Sequence, residues 1–364
     1  MSVGNSVLVE VIRKEIRDHG PVSFAWFMDH ALYHPEHGYY SSDRAATGRG
    51  GDYFTNVSVG PLFGQLLAIQ FAEIWERLGK IDRFAIVEQG AHHGEFARDV
   101  LEFSQQRSPE FFSAVNYRIV EPFPKLRDRQ KQILQEFGDH AQWRGSLDEL
   151  EPFVGIHFSN ELLDSMPVNL PGKLVGLEGD RFVFIDSPSE QATNQSQLVW
   201  VETLAAKLKR GLVLAIDYGF LGGEYRETVQ VRARHRLLDS PFEEIGDADV
   251  TAHVNWTGIA AAAEKNGLRV VGFADQHHFL TGIVAKLGRG GSPEPPATAS
   301  PARTDWGQSP LPLDFKSQCQ LQTLLHPEML GRSFQVLALS KDVDLAPPLS
   351  GFKFGRDARE TLGL

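Results

Sequence analysis

The chain has 364 residues, enough for one large domain with insertions or for two smaller ones. Hydrophobic residues make up 42% and charged residues 23%, a balance that supports a buried core and argues against global disorder. Asp and Glu total 47 against 36 Lys and Arg, a net charge of -11. That charge disfavours a protein gripping nucleic acid through phosphates and suits a cationic partner, such as a lysine- or arginine-bearing protein.

Along the chain, Val7, Leu8, Val11, Ile12 and Ile16 recur at helical spacing, with charged residues between them. This first stretch lacks the unbroken apolar core of a secretory signal and is too acidic for a typical transit peptide. Gly20-Pro21 ends the helix, and Ser23 can cap a second one through Leu32. Residues 33–40 read as an aromatic turn, 41–52 as a surface loop, and 61–78 as a strong amphipathic helix. From there strands and helices alternate: strands at 83–88, 117–121, 154–159, 211–217, 268–274 and 333–340, and helices at 95–103, 125–137 and 257–266. Such alternation predicts a mostly parallel sheet covered on both faces, a Rossmann-like α/β fold. Interruptions fall at 167–201, where Gly179-Asp180 predicts a hairpin, and at 218–253; 288–313 is dense in Pro, Gly, Ser and Ala and predicts a flexible loop.

The expected organisation is thus an N-terminal helical segment over 1–80, a main domain over 81–340 and a C-terminal tail over 341–364. The single cysteine, Cys319, excludes a disulfide framework and a cysteine-rich zinc site and fits a reducing compartment. No run of about 18 apolar residues suggests a membrane span. These features set the expectation of a cytoplasmic protein.

Ligands of such sheets bind at the carboxyl ends of the strands. The first strand-to-helix turn reads Glu88-Gln-Gly-Ala-His-His-Gly94. Gly90 and Gly94 allow a sharp turn and close backbone approach, and Glu121, closing the second strand, is placed to accept hydrogen bonds from a ribose diol. NAD is the competing ligand, and with it an oxidoreductase. Its fingerprint has three glycines cradling a pyrophosphate, however, whereas Ala91, His92 and His93 intervene here. A phosphate-free nucleoside, S-adenosylmethionine, fits better, with Glu88 near its sulfonium.

Further motifs are spread in order along the chain. They are Leu32-Tyr-His-Pro-Glu-His-Gly-Tyr-Tyr40, Gly51-Asp-Tyr-Phe-Thr55, Gly60-Pro-Leu-Phe-Gly-Gln-Leu-Leu-Ala68, Val87-Glu-Gln-Gly90, Ile119-Val-Glu121 and Leu126-Arg-Asp-Arg-Gln130. Then come Ser159-Asn-Glu-Leu-Leu-Asp-Ser-Met-Pro-Val168, Ile216-Asp-Tyr-Gly219, Asp249-Val-Thr-Ala-His-Val254, Gln276 with Phe279-Leu280, and Phe334-Gln-Val-Leu-Ala338. In these stretches the chain resembles the MidA-like methyltransferases, a family that includes an arginine methyltransferase of complex I assembly. The resemblance implies a seven-stranded sheet, S-adenosylmethionine as cofactor, a protein substrate methylated on arginine, and insertions shaping the entrance. It also implies that Gly90, Glu121, Asn160 and Glu161 line the pocket. Two departures stand out: His92 replaces the middle glycine of the turn, where the methionine part of the cofactor should pass, and Glu227-Thr-Val-Gln-Val-Arg232 replaces a Gly-Thr-Leu-Arg-Ala-Tyr pattern.

The cofactor set expected is therefore Glu88, Gly90, His92, Gly94, Glu121 and Asn160. A guanidinium keeps its proton in water, with a pKa above about 12, so carboxylates that hold it are the groups to seek. Glu161 and Asp164, three apart, predict one side of a helical turn, with Glu161 orienting the acceptor and Asp164 supporting it. A capped helix start explains the same residues equally well. Tyr218 and His253 are further catalytic candidates, the first packing on the acceptor and the second accepting a proton. The paired histidines lack converging metal-ligand spacing, so no metal is expected. The arginine-rich run 226–236 could meet an acidic peptide or stay solvated. A non-catalytic binding factor that has lost its cofactor is the alternative favoured by His92. A homo-oligomer remains open.

Overall fold

The computed structural model describes residues 4–41, 55–191, 193–222, 229–234, 236–287 and 314–364. Most of the loop expected at 41–52, all of the loop at 288–313, and Glu227 with Arg226 lie outside them.

Seven strands form the central sheet: β1 (Phe84–Gln89), β2 (Val115–Val120), β3 (Ala141–Arg144), β4 (Phe153–Asn160), β5 (Leu208–Asp217), β6 (Arg269–Asp275) and β7 (Gln335–Lys341). Their spatial order is β6-β7-β5-β4-β1-β2-β3. β1 to β5 run parallel, and β7 lies antiparallel between β5 and β6. The chain starts in the middle at β1, runs outward to β3, then crosses back to β4. A crevice therefore opens between β1 and β4 at the carboxyl ends of the strands, where ligands bind in such sheets. β1 is buried over Phe84 to Glu88, as expected of a strand covered on both faces.

Helices α1 (Ser6–His19), α2 (Phe24–Tyr33), α3 (Leu62–Arg77) and α4 (Glu95–Arg107) precede or follow β1. α3 and α4 pack on one face with the helix Gln276–Leu287, through Phe63, Phe71, Phe96, Phe158 and Phe279. Phe96 stacks on Phe158 with ring centroids 4.4 Å apart. The helices Gln195–Lys207 and Trp256–Lys265 cover the other face through Trp200, Leu204, Trp256 and Ile259. Fully burying each such side chain contributes roughly 1.5–3 kcal/mol.

A third apolar cluster joins α1 and α2 to the hairpin Lys173–Glu178/Arg181–Asp186 and to a ribbon of Val229–Ala233 and Asp249–Ala252. The N-terminal helices and the two insertions thus share one core. α1 starts at Asn5, whose side chain accepts from the backbone of Val7 and Leu8. It buries Leu8, Val9, Ile12 and Ile16, while Val7 and Val11 are 53% and 39% exposed, so the buried stripe is rotated from the one expected. The stretch read as a tail is packed: Leu349, Phe352 and Leu362 are buried, and a short helix Ala358–Leu362 lies near β6.

Candidate active site

The crevice is a cavity of about 1160 Å³ walled by the ends of β1, β2, β4 and β5, by the aromatic turn after α2, and by the ribbon. Among its described lining residues the carboxyl groups are Glu88, Glu95, Glu121, Glu161, Asp164 and Asp249, and Arg232 is the one Lys or Arg.

At one end lies the turn after β1. Gly90 has φ 81° and Gly94 φ 94°, and His92, with φ 45°, holds the left-handed conformation that a glycine adopts without strain. A Cβ at Gly90 would meet Leu162 at 3.4 Å, so the backbone angle, more than space, calls for glycine. Gly94 is absent from the cavity wall; it leads into α4, correcting its expected place in the cofactor set. His92 lines the cavity with its ring against His93, centroids 3.7 Å apart. Gln130 Nε2 donates to the His92 carbonyl at 2.7 Å and to Glu121 Oε2 at 3.1 Å, tying the turn to the second strand. Trp143 in turn donates to Gln130 Oε1 at 3.0 Å.

Glu121 also accepts from Phe123 N at 3.0 Å. Burial raises its pKa to about 7 against these donors. Glu88 accepts from the Tyr117 hydroxyl at 2.7 Å, and burial raises it to about 8. The lining at this end holds Glu88, Glu95 and Glu121 and, among the described residues, no Lys or Arg, which suits a cationic, phosphate-free nucleoside and opposes a diphosphate. S-adenosylmethionine fits: Glu121 would take the ribose diol, the turn through Gly90 and His92 the amino-acid part, and Glu88 would face the positive charge.

At the other end β4 runs into a turn rather than the helix expected after Ser159. Asp217, at the end of β5, accepts from the backbone of Leu162 (3.1 Å), Leu163 (2.8 Å) and Asp164 (3.2 Å) through one oxygen and from Tyr218 (2.8 Å) through the other. A neighbouring strand thus supplies the carboxylate that a helix cap would have supplied from within the segment. Glu161 has φ 54° and continues the ladder, its N–H bonding Ile216 O at 2.9 Å. Its Oε1 accepts from Asn160 Nδ2 at 2.7 Å and from Asn56 N at 3.3 Å.

Behind it stands a chain of amides. Gln276 Nε2 donates to Asn56 Oδ1 (2.8 Å), Asn56 Nδ2 to Asn160 Oδ1 (2.9 Å), and Asn160 to Glu161. Asn56 and Gln276 are fully buried. This chain holds Glu161 in its strained backbone through Oε1, and among the described residues no hydrogen bond engages Oε2.

Burial, with Asp217 adding to it, pushes Glu161 up to about 8. Burial, with Asp217 adding to it, raises Asp164 well above the ordinary carboxylate range, and burial takes Asp217 to about 7 against its four N–H donors. Tyr218 packs on Phe334, centroids 4.1 Å apart, and lines the cavity, as does His253, which burial pushes down in pKa. Tyr40 donates to Asp249 Oδ1 at 2.8 Å, and the Tyr33 hydroxyl lies 2.9 Å from Ser165 Oγ, closing the roof.

The structure brings nine of the ten expected residues to one cavity, all but Gly94. Asn56 carries no signal in the sequence, while Tyr33, Tyr40, Gln130, Asp249 and Gln276 stand there only inside the motifs, without an assigned role. The structure also brings side-chain donors of His92, His93 and Glu95 within 4.8 Å of one another, which the spacing argument against a metal discounted. Arg129 lies against His93 Nε2 at 2.7 Å, setting a positive charge beside that group.

Comparison with known proteins decides the family. The sequence profile of S-adenosyl-L-methionine-dependent methyltransferases matches residues 66–192 and 180–274, more than half of the chain. The chain belongs to this family. It uses S-adenosylmethionine and is a methyltransferase, which displaces both the oxidoreductase and the non-catalytic binding factor. A superfamily member from Burkholderia thailandensis, crystallised with S-adenosyl-homocysteine, is 27% identical, with a TM-score of 0.81 over 97% of this chain and 96% of that one.

Among curated relatives, the mitochondrial protein arginine methyltransferase NDUFAF7 homolog of Drosophila melanogaster is 27% identical over 332 residues, covering 76% of this chain and 75% of its own. The human mitochondrial NDUFAF7 is 26% identical over 317 residues, covering 73% and 70%. Their mitochondrial designation overturns the cytoplasmic expectation: one cysteine and an acidic N-terminal stretch do not fix a compartment. Among the described residues no helix is long and apolar enough to cross a membrane.

Proposed function

We propose that this methyltransferase modifies an arginine side chain of a protein substrate. The observation that carries the reading is the acidic end of the cavity, where Glu161, held by Asn160 and Asn56, is bridged by no cation among the described residues. A guanidinium offers five N–H donors in a plane and matches a carboxylate. The relatives named as arginine methyltransferases support the same choice. When bound, the cofactor supplies an electrophilic methyl group on a sulfonium. Glu161 holds the guanidinium in line and concentrates its positive charge away from the attacking nitrogen. Arrival of that cation pulls Glu161 down from about 8, so the carboxyl gives up its proton as the acceptor docks. Asp164, whose carboxyl burial raises above its ordinary range, supports the wall beside Glu161, and Tyr218 with Phe334 supplies an apolar face beside the acceptor. His253, which burial biases toward the neutral form, is the group placed to take the proton shed once nitrogen is alkylated. Glu161→Ala tests the assignment: S-adenosyl-homocysteine binding by calorimetry should persist while methyl transfer is lost. Loss of binding would assign Glu161 to the cofactor instead.

A further inference from the structure

The arginine-rich stretch 226–236 has no task in methyl transfer as described. Its residue Arg232 lies in the ribbon strand Val229–Ala233, where Val231 and Ala233 are buried in the third apolar cluster. Alternation along a strand sends Gln230 and Arg232 to the opposite face, and both line the cavity. Opposite them in register stand Thr251 and Asp249, which line it too. Arg232 forms no ion pair among the described residues, although the cavity wall carries six carboxyl groups. Among the described residues its one side-chain hydrogen bond is a long one, 3.3 Å, to Gln230 Oε1.

A guanidinium cannot shed its proton to escape a half-buried position, and it carries five donors. Most of Arg232's meet no acceptor among the described residues, on the acceptor side of the cavity, near enough to Tyr218 for its charge to act on the phenol. A lone cation here would repel an arginine acceptor unless it served a negative group arriving with it. Glu161 and Arg232 thus divide the wall into an anionic and a cationic position, a pattern complementary to a substrate of alternating charge.

We propose that Arg232, steadied by Gln230, is a carboxylate subsite that selects acceptor segments bearing an Asp or Glu side chain close to the methylated residue. This rests on the arginine reading above. The carboxylate of the cofactor's amino-acid end has the same chemistry, and the experiment separates the two sources. Alanine-based heptapeptides with a central arginine, carrying glutamate or glutamine at each flanking position in turn, are titrated into the protein saturated with S-adenosyl-homocysteine. The same titrations are made with Arg232→Gln, whose own affinity for S-adenosyl-homocysteine is measured alongside. Expected is a position at which glutamate binds on the order of tenfold tighter than glutamine, with the difference gone in Arg232→Gln and its cofactor affinity unchanged. No preference at any position, or a preference that survives in Arg232→Gln, overturns the subsite and leaves the arginine reading standing. Weakened S-adenosyl-homocysteine binding in the variant assigns Arg232 to the cofactor and overturns it as well. If no arginine peptide binds while S-adenosyl-homocysteine does, both readings fall.

Discussion

Replacing Glu88 by glutamine changes one atom of a buried side chain and removes its titration. Tyr117 can donate to the amide oxygen as it does to the carboxyl oxygen, at 2.7 Å in the native protein. Burial holds the folded pKa near 8 against an ordinary 4.5. The folded state therefore binds more protons than the unfolded chain between those values, and stability falls as pH rises through the window. At pH 7 the folded group is mostly protonated while the unfolded one is ionised. Integrating the difference gives a loss of about 3 kcal/mol relative to pH 4, approaching about 5 kcal/mol at pH 9. Glu161, Asp164 and Asp217 slope the same way, so the absolute curve does not isolate Glu88. The difference between wild type and Glu88→Gln does. Urea unfolding of both cofactor-free proteins from pH 5 to pH 9 should show the variant gaining on wild type by about 4 kcal/mol across the range. A gap that stays flat, or closes as pH rises, would refute the claim that Glu88 is buried without a compensating charge. The sequence retains this costly carboxyl where the cofactor's sulfonium is expected. Saturating S-adenosylmethionine should accordingly flatten the difference, whereas S-adenosyl-homocysteine, which lacks the sulfonium charge, should do so less.

Other outcomes follow from the same geometry. Glu121→Ala removes the carboxylate proposed to bind the ribose, leaving Phe123 N without its acceptor and Gln130 Nε2 with the His92 carbonyl alone; S-adenosyl-homocysteine affinity should drop roughly 10- to 100-fold, and an unchanged isotherm would disprove the role. Asn56→Leu breaks the amide chain at its middle, so Asn160 no longer presents its N–H to Glu161. Donors to a carboxylate lower its pKa, so the acid limb of the rate–pH profile should move to higher pH, with the rate near neutrality down about tenfold. A reduced rate with an unmoved profile would make the chain merely structural.

Much of this architecture was legible because each core strand is a short apolar run and each site residue sits at the end of one. The β2 carboxylate, Glu121, was found in this way from its register with the first turn, and the hairpin from Gly179-Asp180. β3 escaped notice because Ala-Gln-Trp-Arg, on an edge, has no alternation long enough to register. The helix Gln276–Leu287 begins with Gln-His-His, which drew attention to metal rather than to periodicity. The turn at 161–166 was read as a helix start because its N–H donors are satisfied by Asp217, some fifty residues on, a partner no local pattern reveals. The same holds for Asn56 and Gln276, which meet across 220 positions. Their polar side chains look like solvent-facing amides in sequence; only folding shows them buried and aimed at Glu161.

The central claim, that the acidic end of the cavity presents an arginine to the cofactor, is tested by following the methyl group. Wild-type protein is incubated with S-adenosylmethionine labelled on the methyl carbon and with an extract of host cells, and the protein fraction is hydrolysed to amino acids. The account predicts label in methylated arginine, present with wild type and absent with Glu161→Ala. Label in any other amino acid, or equal label from the two proteins, would contradict it.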